Sequence, residues 1–233
     1  MNKVSVIIPT FNRYYSLFNA VDSVKQQTYK HIEIIVVDDN STDDNYNNLK
    51  IEGVKIIKLE EGSKQKLNYG CGALPRNVGM YYATGDWIAF LDDDDIWMPN
   101  KLEFQMNEMI KHNSLMSSTD GYIGSGYYNP KKIYKIYNKE YYYESLKKIF
   151  NYDTELPDLF NKKFVEIHNP IITSSVCFNK DLYHKIGDMK LIKNGGEIIN
   201  GVKEWQDWDY WKRMLQHTDC LYIKEPLFYY NNK

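Results

Sequence analysis

The feature that most constrains the fold of this chain is a series of short apolar runs, separated by amphipathic stretches, in its first half. The run at 32–37 is almost continuous in Ile and Val, which is typical of a strand covered on both faces, as in parallel sheets. The pattern predicts strands at 4–8, 32–37, 54–59 and 87–91, with helices at 16–27, 73–83 and 99–112. Strands that alternate with helices predict an α/β fold with a mostly parallel central sheet flanked by helices.

The second half of the sequence is less regular and predicts shorter elements. We expect strands and loops at 114–137, helices at 141–150, 180–186 and 205–217, strands at 171–178 and 221–223, and a mobile, glycine-containing loop at 193–203. No repeat and no linker rich in Pro or Ser divides the sequence. We therefore interpret 1–233 as a single domain with two halves, 1–112 and 113–233.

The composition argues against several classes of protein. Lys and Arg total 29 against 31 Asp and Glu, a formal net charge of -2, so the chain has no overall basic field for nucleic acid. Hydrophobic residues make up 43% of the sequence, which suffices for a sizeable core and argues against disorder. The three cysteines are far apart and form no CxxC pair, so we expect reduced thiols rather than a disulfide framework or a zinc site.

No segment of the sequence approaches the roughly 18–20 apolar residues that a membrane-spanning helix needs. The apolar run at 4–8 ends at Pro9 and is too short for the hydrophobic region of a signal peptide. We therefore expect a cytoplasmic protein without a transmembrane segment, at most peripheral to a membrane.

Polar residues directly follow three of the predicted strands. Ligands of open α/β sheets bind beyond the carboxyl ends of the strands, so these residues are candidates for a binding site. The candidates are Pro9, Thr10, Phe11 and Arg13 after the first strand, Asp38 and Asp39 after the second, and Asp92, Asp93, Asp94 and Asp95 after the fourth.

The run of four aspartates lies between two apolar segments. Carboxylates crowded in such a place repel one another and lose hydration. A hard divalent cation such as Mg²⁺ or Mn²⁺ removes that penalty, because it favours carboxylate oxygens. An acidic turn in solvent is the alternative interpretation, and the spacing leaves both open.

Other charged side chains also have two interpretations. Asp38 and Asp39 are suited to accept hydrogen bonds from a ribose hydroxyl or a base N–H, although residues of this turn could instead cap a helix. Arg76 begins a predicted helix and forms either a surface salt bridge or a partner for the aspartates or a diphosphate. Asp207 and Asp209 begin the last predicted helix, where they could simply complement the helix dipole.

Two further features of the sequence bear on the core of the protein and on the classes of enzyme to which it could belong. Trp205, Trp208 and Trp211 recur every three residues, which predicts that most of this stripe packs in the core. The sequence has no GxGxxG after its first strand, no GxxxxGK[ST] and no GxSxG, which argues against dinucleotide oxidoreductases, P-loop NTPases and α/β-hydrolases.

Five segments together resemble the inverting family 2 glycosyltransferases of the A-type (GT-A) fold. They occur in the family's order and at similar separations, and they cover about the first 110 residues well and 170–217 loosely. The segments are VSVIIPTFNR at 4–13, IVVDDNSTD at 35–43, PRNVG at 75–79, GDWIAFLDDDD at 85–95 and QDWD at 206–209. The resemblance implies that 1–112 form a Rossmann-like half that binds a nucleotide sugar, and that 113–233 bind the acceptor and supply the catalytic base.

The resemblance also implies roles for the candidate donor-binding residues. Pro9, Thr10, Phe11 and Arg13 match the first donor loop, in which Phe11 would stack on the nucleobase. Asp39, helped by Asp38, resembles the carboxylate that reads the base. Arg76 resembles the arginine that borders the donor pocket.

The same resemblance implies a metal site and a catalytic residue. Asp92, Asp93 and Asp94 match the DxD motif, in which Asp94 would hold Mn²⁺ or Mg²⁺, while Asp92 and Asp93 contact the ribose and the metal shell. Asp207 matches the catalytic base. The family usually has Glu before this Asp, whereas Gln206 stands here, and a His often found near the end of the family's motif set is absent.

The sequence therefore predicts metal-assisted, inverting transfer of a sugar from a nucleotide sugar, with UDP favoured, to a hydroxyl of a glycan, lipid-linked or protein acceptor. We expect the acceptor to lie against 114–169 and 193–203, because loops carry specificity on such a scaffold. One alternative is a non-catalytic nucleotide-sugar or glycan-binding protein, which Gln206 motivates. The other is a sugar nucleotidyltransferase, although the first donor loop lacks the glycines expected of one.

Overall fold

The computed structural model describes residues 2–151, 153–199 and 201–232. Its strands are β1 (Val4–Thr10), β2 (Ile32–Asp38), β3 (Val54–Lys58), β4 (Trp87–Phe90), β5 (Ile96–Trp97), β6 (Met116–Gly124), β7 (Lys135–Ile136), β8 (Leu159–Phe160), β9 (Cys177–Asn179), β10 (Glu197–Ile199), β11 (Val202–Glu204) and β12 (Cys220–Asn231). Its α-helices are α1 (Tyr14–Lys25), α2 (Ser63–Leu67), α3 (Ala73–Tyr82), α4 (Lys101–Lys111), α5 (Tyr143–Phe150), α6 (Lys162–Ile167), α7 (Lys180–Ile186) and α8 (Gln206–Met214).

The strands of the first half form the parallel part of one large sheet. The sheet order is β3-β2-β1-β4-β9-β6-β12-β5, and β1 pairs in parallel with both β2 and β4. Thr10 pairs with Asp38, so β1 and β2 end at the same level. Their carboxyl ends therefore form one edge, as the sequence predicts.

The second half of the sheet mixes strand directions. β9 runs antiparallel to β4 and β6, β12 runs parallel to β6, and β5 and β8 run antiparallel to β12. The sheet is thus parallel in the half where apolar runs alternate with helices and mixed in the half where the sequence pattern is irregular.

Two hydrophobic cores cover the two faces of the sheet. Side chains of β1 alternate between them, as period-2 geometry requires: Ile7 joins one core, whereas Val6 and Ile8 join the other. The first core also contains Trp211, and the second contains Phe228. Each core therefore combines side chains from the two predicted halves.

Several elements differ from their predicted bounds. The predicted strand at 171–178 is a 3₁₀ turn at Thr173–Ser175 followed by β9, because the Ser175 hydroxyl donates to the Ile172 carbonyl, 2.6 Å away, and closes a turn. The final strand extends far beyond 221–223, with register shifts around Pro226, a residue that cannot donate to the sheet.

Two predictions for the second half also need correction. The loop at 193–203 contains a short hairpin of β10 and β11, and Asn200 within it lies outside the described residues. The predicted helix at 141–150 is α5 preceded by a π-helix at Tyr137–Tyr142. Within the described ranges, none of the helices is both long and apolar enough to cross a bilayer.

Candidate active site

A cavity of about 940 Å³ lies at the carboxyl edge of β1, β2 and β4, a size within the usual range of small-molecule sites. Both halves of the chain line it. The lining includes Pro9, Thr10, Phe11, Arg13, Asp39, Lys64, Cys71, Arg76, Asp92, Asp93 and Asp94 from the first half, and Tyr137, Tyr142, Asn169, Thr173, Asn194, Trp205, Gln206, Asp207, Trp208 and Tyr230 from the second.

The loop after β1 is tied to the loop after β2. The backbone N–H of Asn12 donates to Ser41 Oγ at 2.9 Å, and Asn12 Oδ1 accepts from the backbone N–H of Thr42 at 2.8 Å. Asn12 has φ of 53°, a left-handed conformation that asparagine tolerates better than most residues. These contacts place Phe11 on the cavity wall, where the Lys64 ammonium lies 4.5 Å from the ring centroid.

The two aspartates at the end of β2 have different environments. The Asp39 carboxylate lines the cavity and accepts from the Ser63 N–H at 2.7 Å and the Ser63 hydroxyl at 2.5 Å. Burial raises the pKa of Asp39, while these two hydrogen bonds lower it. Asp38 is 1% exposed, does not line the cavity, and accepts from the Ser41 N–H at 2.8 Å. Asp38 therefore holds the turn after β2, and its predicted donor-binding role stays a prediction.

Three of the four consecutive aspartates line the cavity, and arginines neutralise them. Asp93 accepts from Thr10 Oγ1 at 2.8 Å and from Arg13 Nη1 at 2.9 Å, and the same nitrogen lies 2.9 Å from Asp94 Oδ2. Asp92 forms an ion pair with Arg76. Asp93 is only 4% exposed, so this cluster is not an acidic turn in solvent.

The protonation equilibria in this cluster follow from burial and charge. Burial raises the pKa of Asp93 to about 6, against the lowering effects of the Arg13 charge and the Thr10 hydroxyl. Burial alone would lower the pKa of Arg13, but the charges of Asp93 and Asp94 raise it. Asp95, which is fully buried behind the cavity, also has a pKa raised by burial and by the charge of Asp92. The cavity thus keeps an arginine charge close to its carboxylates.

The predicted metal ligands can be tested against the side chains present. Among the described residues, no group of three or more His, Cys, Asp or Glu side chains could hold a metal ion. Asp92 and Asp94 nevertheless bring hard carboxylate oxygens to the cavity wall, the donor type that Mg²⁺ and Mn²⁺ prefer. The chemistry of these two carboxylates fits a divalent cation.

Asp207 and Asp209 both lie in the first turn of α8, but their side chains have different surroundings. Asp207 lines the cavity and is partly exposed there. Burial raises its pKa, against the lowering effect of the Trp208 backbone N–H and the Arg76 charge. Asp209 is buried and forms ion pairs with Lys190 at 2.5 Å and Arg213 at 2.9 Å. Of these two carboxylates, only that of Asp207 lines the cavity.

Gln206 connects the start of α8 to two loops. Its Nε2 donates to Asn194 Oδ1 at 3.0 Å, and the same oxygen accepts from the Gly72 N–H at 3.1 Å. The backbone N–H of Asn194 donates to the Gly70 carbonyl at 2.8 Å. The amide that replaces the family's usual carboxylate is thus part of a clamp, defined here as Gln206, Asn194 and the 70–72 backbone.

Aromatic side chains form much of the cavity wall in the second half. Trp211 is fully buried in the core, as predicted for the stripe, but Trp205 and Trp208 line the cavity. Tyr137 and Tyr230 also line it, with ring centroids 5.7 Å apart. No sequence motif identifies these two tyrosines, and the abundance of tyrosine in 122–143 is a signal for Tyr137 alone.

Solved structures of similar fold indicate the class of this protein. The structure is similar to that of S. aureus TarS, with a TM-score of 0.66 at 20% identity over 99% of this chain and 37% of that one. A 1–349 fragment of TarS solved with UDP-GlcNAc gives a TM-score of 0.64 at 20% identity, over 99% of this chain and 59% of that one. The fold is therefore the GT-A fold of glycosyltransferases.

The family follows from sequence. Residues 5–165 match the family described as Glycosyl transferase family 2, so the chain belongs to that family. It is 38% identical to the Escherichia coli enzyme UDP-Glc:alpha-D-GlcNAc-diphosphoundecaprenol beta-1,3-glucosyltransferase WfgD over 47% of this chain and 42% of that one. It is 30% identical to a Rickettsia typhi glycosyltransferase over 96% of this chain and 62% of that one. The chain thus spans roughly half of the length of these relatives.

Proposed function

We propose that this chain transfers a sugar from a UDP-sugar to an acceptor hydroxyl, with inversion at the anomeric carbon and with the help of a divalent cation. One observation carries the proposal: Asp207 faces the same cavity as the first donor loop, Asp39 and the Asp92–Asp94 cluster. A base and a site for a charged diphosphate thus share one space. The name of the E. coli relative, which specifies UDP-Glc, and the complexes of TarS with UDP and UDP-GlcNAc support the choice of donor.

The donor-binding roles follow from the contacts of each side chain. Phe11 offers a ring face to a base, and Asp39, held by Ser63, offers carboxylate oxygens to its N–H groups. Arg76 Nε is buried and has no hydrogen-bond partner among the described residues. Because a buried donor without a partner is costly, a diphosphate oxygen is a suitable ligand for this guanidinium.

Asp92 and Asp94 would hold the cation. When bound, a divalent cation stabilises the charge that grows on a departing diphosphate. Arg13 and Arg76 contribute positive charge at the same wall and would share this task, because preformed charges stabilise a transition state without reorganisation.

Asp207 would accept the proton of the acceptor hydroxyl as the new glycosidic bond forms. Its raised pKa makes it a stronger base than an aspartate in water, and general base catalysis of this kind contributes roughly 10² to 10⁴ in rate. Gln206, which is uncharged, adds no second negative charge beside it. The acceptor would lie against Tyr137, Trp205 and Tyr230, and the lipid diphosphate named for the E. coli relative favours a lipid-linked sugar.

The test is Asp207→Asn, assayed for sugar transfer and for UDP binding. We expect turnover to fall by roughly 10² to 10⁴ while the affinity for UDP stays close to that of the native chain. Asp209→Asn is the matched control, because its carboxylate lies in the same turn but is buried in ion pairs; it should lose stability rather than turnover. Near-normal transfer by Asp207→Asn would contradict the assignment of the base.

The same assay separates a second candidate, a non-catalytic nucleotide-sugar-binding protein, which the Gln206 clamp motivates. Metal-dependent binding of UDP-sugars by the native chain, with neither transfer nor donor hydrolysis, would favour that candidate over the enzyme.

A further inference from the structure

One surface segment concentrates positive charge. Residues 125–139, named here the basic tip, contain Lys131, Lys132, Lys135 and Lys139 and no acidic residue, although the whole chain has a net charge of -2. All four lysines are exposed. None of them forms an ion pair with a carboxylate in the part of the chain that the structure describes. The basic tip is therefore a local cationic surface on a slightly acidic protein.

The basic tip also exposes large apolar side chains between its lysines. Ile133 is fully exposed, at 101% of its reference area, and Tyr127 is 67% exposed. Because the Ile133 side chain is fully exposed, it gains no apolar burial from the folded chain itself. An exposed apolar group flanked by cations is typical of surfaces that lie in a membrane interface.

The exposure of Ile133 is built into the fold. Tyr128 and Tyr134 stack on each other at 5.8 Å, and both pack against Tyr229. The backbone N–H of Asn129 donates to the Tyr134 hydroxyl at 2.9 Å, and the Tyr229 hydroxyl donates to the Gly126 carbonyl at 3.0 Å. The tyrosines anchor the segment from inside, so Ile133 and the lysines are held outward.

The basic tip lies beside the candidate active site. Tyr137, which belongs to the basic tip, lines the cavity. Tyr229 anchors the tip, and the next residue, Tyr230, lines the cavity against Tyr137. A surface that contacts the tip therefore contacts the protein next to the cavity.

We propose that the basic tip docks on a phospholipid bilayer that contains anionic lipids, with Ile133 and Tyr127 in the interface and the lysines at the headgroups. Charge complementarity favours an anionic surface, and the exposed isoleucine favours a bilayer over a polyanion, which would contact the lysines without burying Ile133. This docking goes beyond the proposed sugar transfer and needs no turnover, so Asp207→Asn should bind vesicles as the native chain does.

Co-sedimentation with vesicles tests the charge component. The native chain should bind vesicles that contain phosphatidylglycerol, bind vesicles of phosphatidylcholine alone far more weakly, and lose binding at high salt. Each lysine near an anionic surface contributes about fivefold in partitioning, so Lys131→Gln, Lys132→Gln and Lys135→Gln together should weaken binding about a hundredfold. The matched control is Lys25→Gln, Lys50→Gln and Lys58→Gln, which removes the same charge from exposed lysines of the first half and should have a much smaller effect.

A second pair of variants tests the apolar component. Ile133→Ser should weaken vesicle binding about tenfold, whereas Ile110→Ser, at an isoleucine 63% exposed on α4, should not. Thermal unfolding of every variant checks that the fold is intact, which we expect because all these side chains are exposed. Equal loss in both lysine triples, or equal binding to both kinds of vesicle, would overturn the proposal. So would full binding by Ile133→Ser, because a contact that leaves Ile133 unburied does not need a bilayer.

Discussion

Asp38 and Asp39 are neighbours in the chain, yet their carboxylates serve different purposes. Successive side chains at the end of a strand point to opposite faces, so Asp39 reaches the cavity and Asp38 reaches the backbone of the next turn. The sequence alone identifies the strand end as a site but does not say which of two adjacent carboxylates faces the ligand.

This difference gives a paired prediction. Asp39→Asn should weaken UDP binding about tenfold to a hundredfold, because a hydrogen bond to a charged group is worth about 1.5–3 kcal/mol. Asp38→Asn should leave UDP affinity largely unchanged and instead lower the free energy of unfolding, because its partner is the Ser41 N–H. Calorimetric titration with UDP and chemical unfolding measure the two effects, and a reversed pattern would contradict the structural assignment.

Lys101 has an ionisable side chain but lies in the interior of the protein. It is fully buried, its ammonium lies 4.1 Å from the Trp97 ring centroid, and its Nζ donates to Gln105 Oε1 at 2.6 Å. Burial lowers the pKa of Lys101 from 10.5 to about 7. Between these values the unfolded chain binds a proton that the folded chain does not, so this residue makes stability rise with pH in that window.

We therefore expect Lys101→Met to be more stable than the native chain at pH 7, by about 1–3 kcal/mol, because replacing a buried ionisable group with an apolar one is often stabilising. The variant should also lose part of the rise in stability between pH 7 and 10. Urea unfolding at several pH values measures both effects. An unchanged slope with pH would show that Lys101 stays charged in the folded chain.

At the scale of elements, the clamp of Gln206, Asn194 and the 70–72 backbone joins α8 to the loops before α3 and β10. Asn194 Oδ1 accepts from two N–H donors, so the position of Asp207 depends on an acceptor at 194 and a donor at 206. A glutamate at 206 has no N–H to donate, and its charge would lie beside Asp207.

These contacts predict that Gln206→Glu lowers kcat about tenfold, although the family usually carries Glu there, since a hydrogen bond to Asn194 is replaced by repulsion. It should also shift the acidic limb of the pH–rate profile upwards, because a nearby negative charge raises the pKa of Asp207. Asn194→Asp should cost less, because both of its partners are donors. Steady-state kinetics over a range of pH measures these effects, and equal losses in the two variants would argue against the clamp.

The elements that the sequence predicts well are those whose pattern is local. β1, β2, β3 and β4 follow from short, mostly apolar runs, and α7 matches its predicted bounds. The two-residue strands β5, β7 and β8 are too short to show a period, and they exist because they pair with distant residues, as Trp97 does with Phe228. The same limit explains why Tyr137 and Tyr230 were not predicted at the site: only the tertiary fold brings them together.

At the scale of the whole molecule, the cavity is lined by both halves, so a ligand in it should stabilise the chain as a unit. We expect UDP at about 100 times its Kd to add about 2.7 kcal/mol to the free energy of unfolding, a rise of roughly 5–10 °C in Tm for a chain of this size. Mn²⁺ should increase this rise and a chelator should reduce it. A rise with UDP that is the same with chelator and with Mn²⁺ would contradict the proposed metal site while leaving nucleotide binding in place.

The last three residues of β12 contact three different parts of the protein. Tyr229 anchors the basic tip, Tyr230 lines the cavity, and the backbone N–H of Asn231 donates to Asp95 behind the aspartate cluster at 2.9 Å. The end of β12 therefore fixes the distance between the basic tip and the cavity. If the basic tip docks on a bilayer as proposed, a substrate anchored in that bilayer reaches the cavity only when the link between its anchor and its reacting group spans that distance.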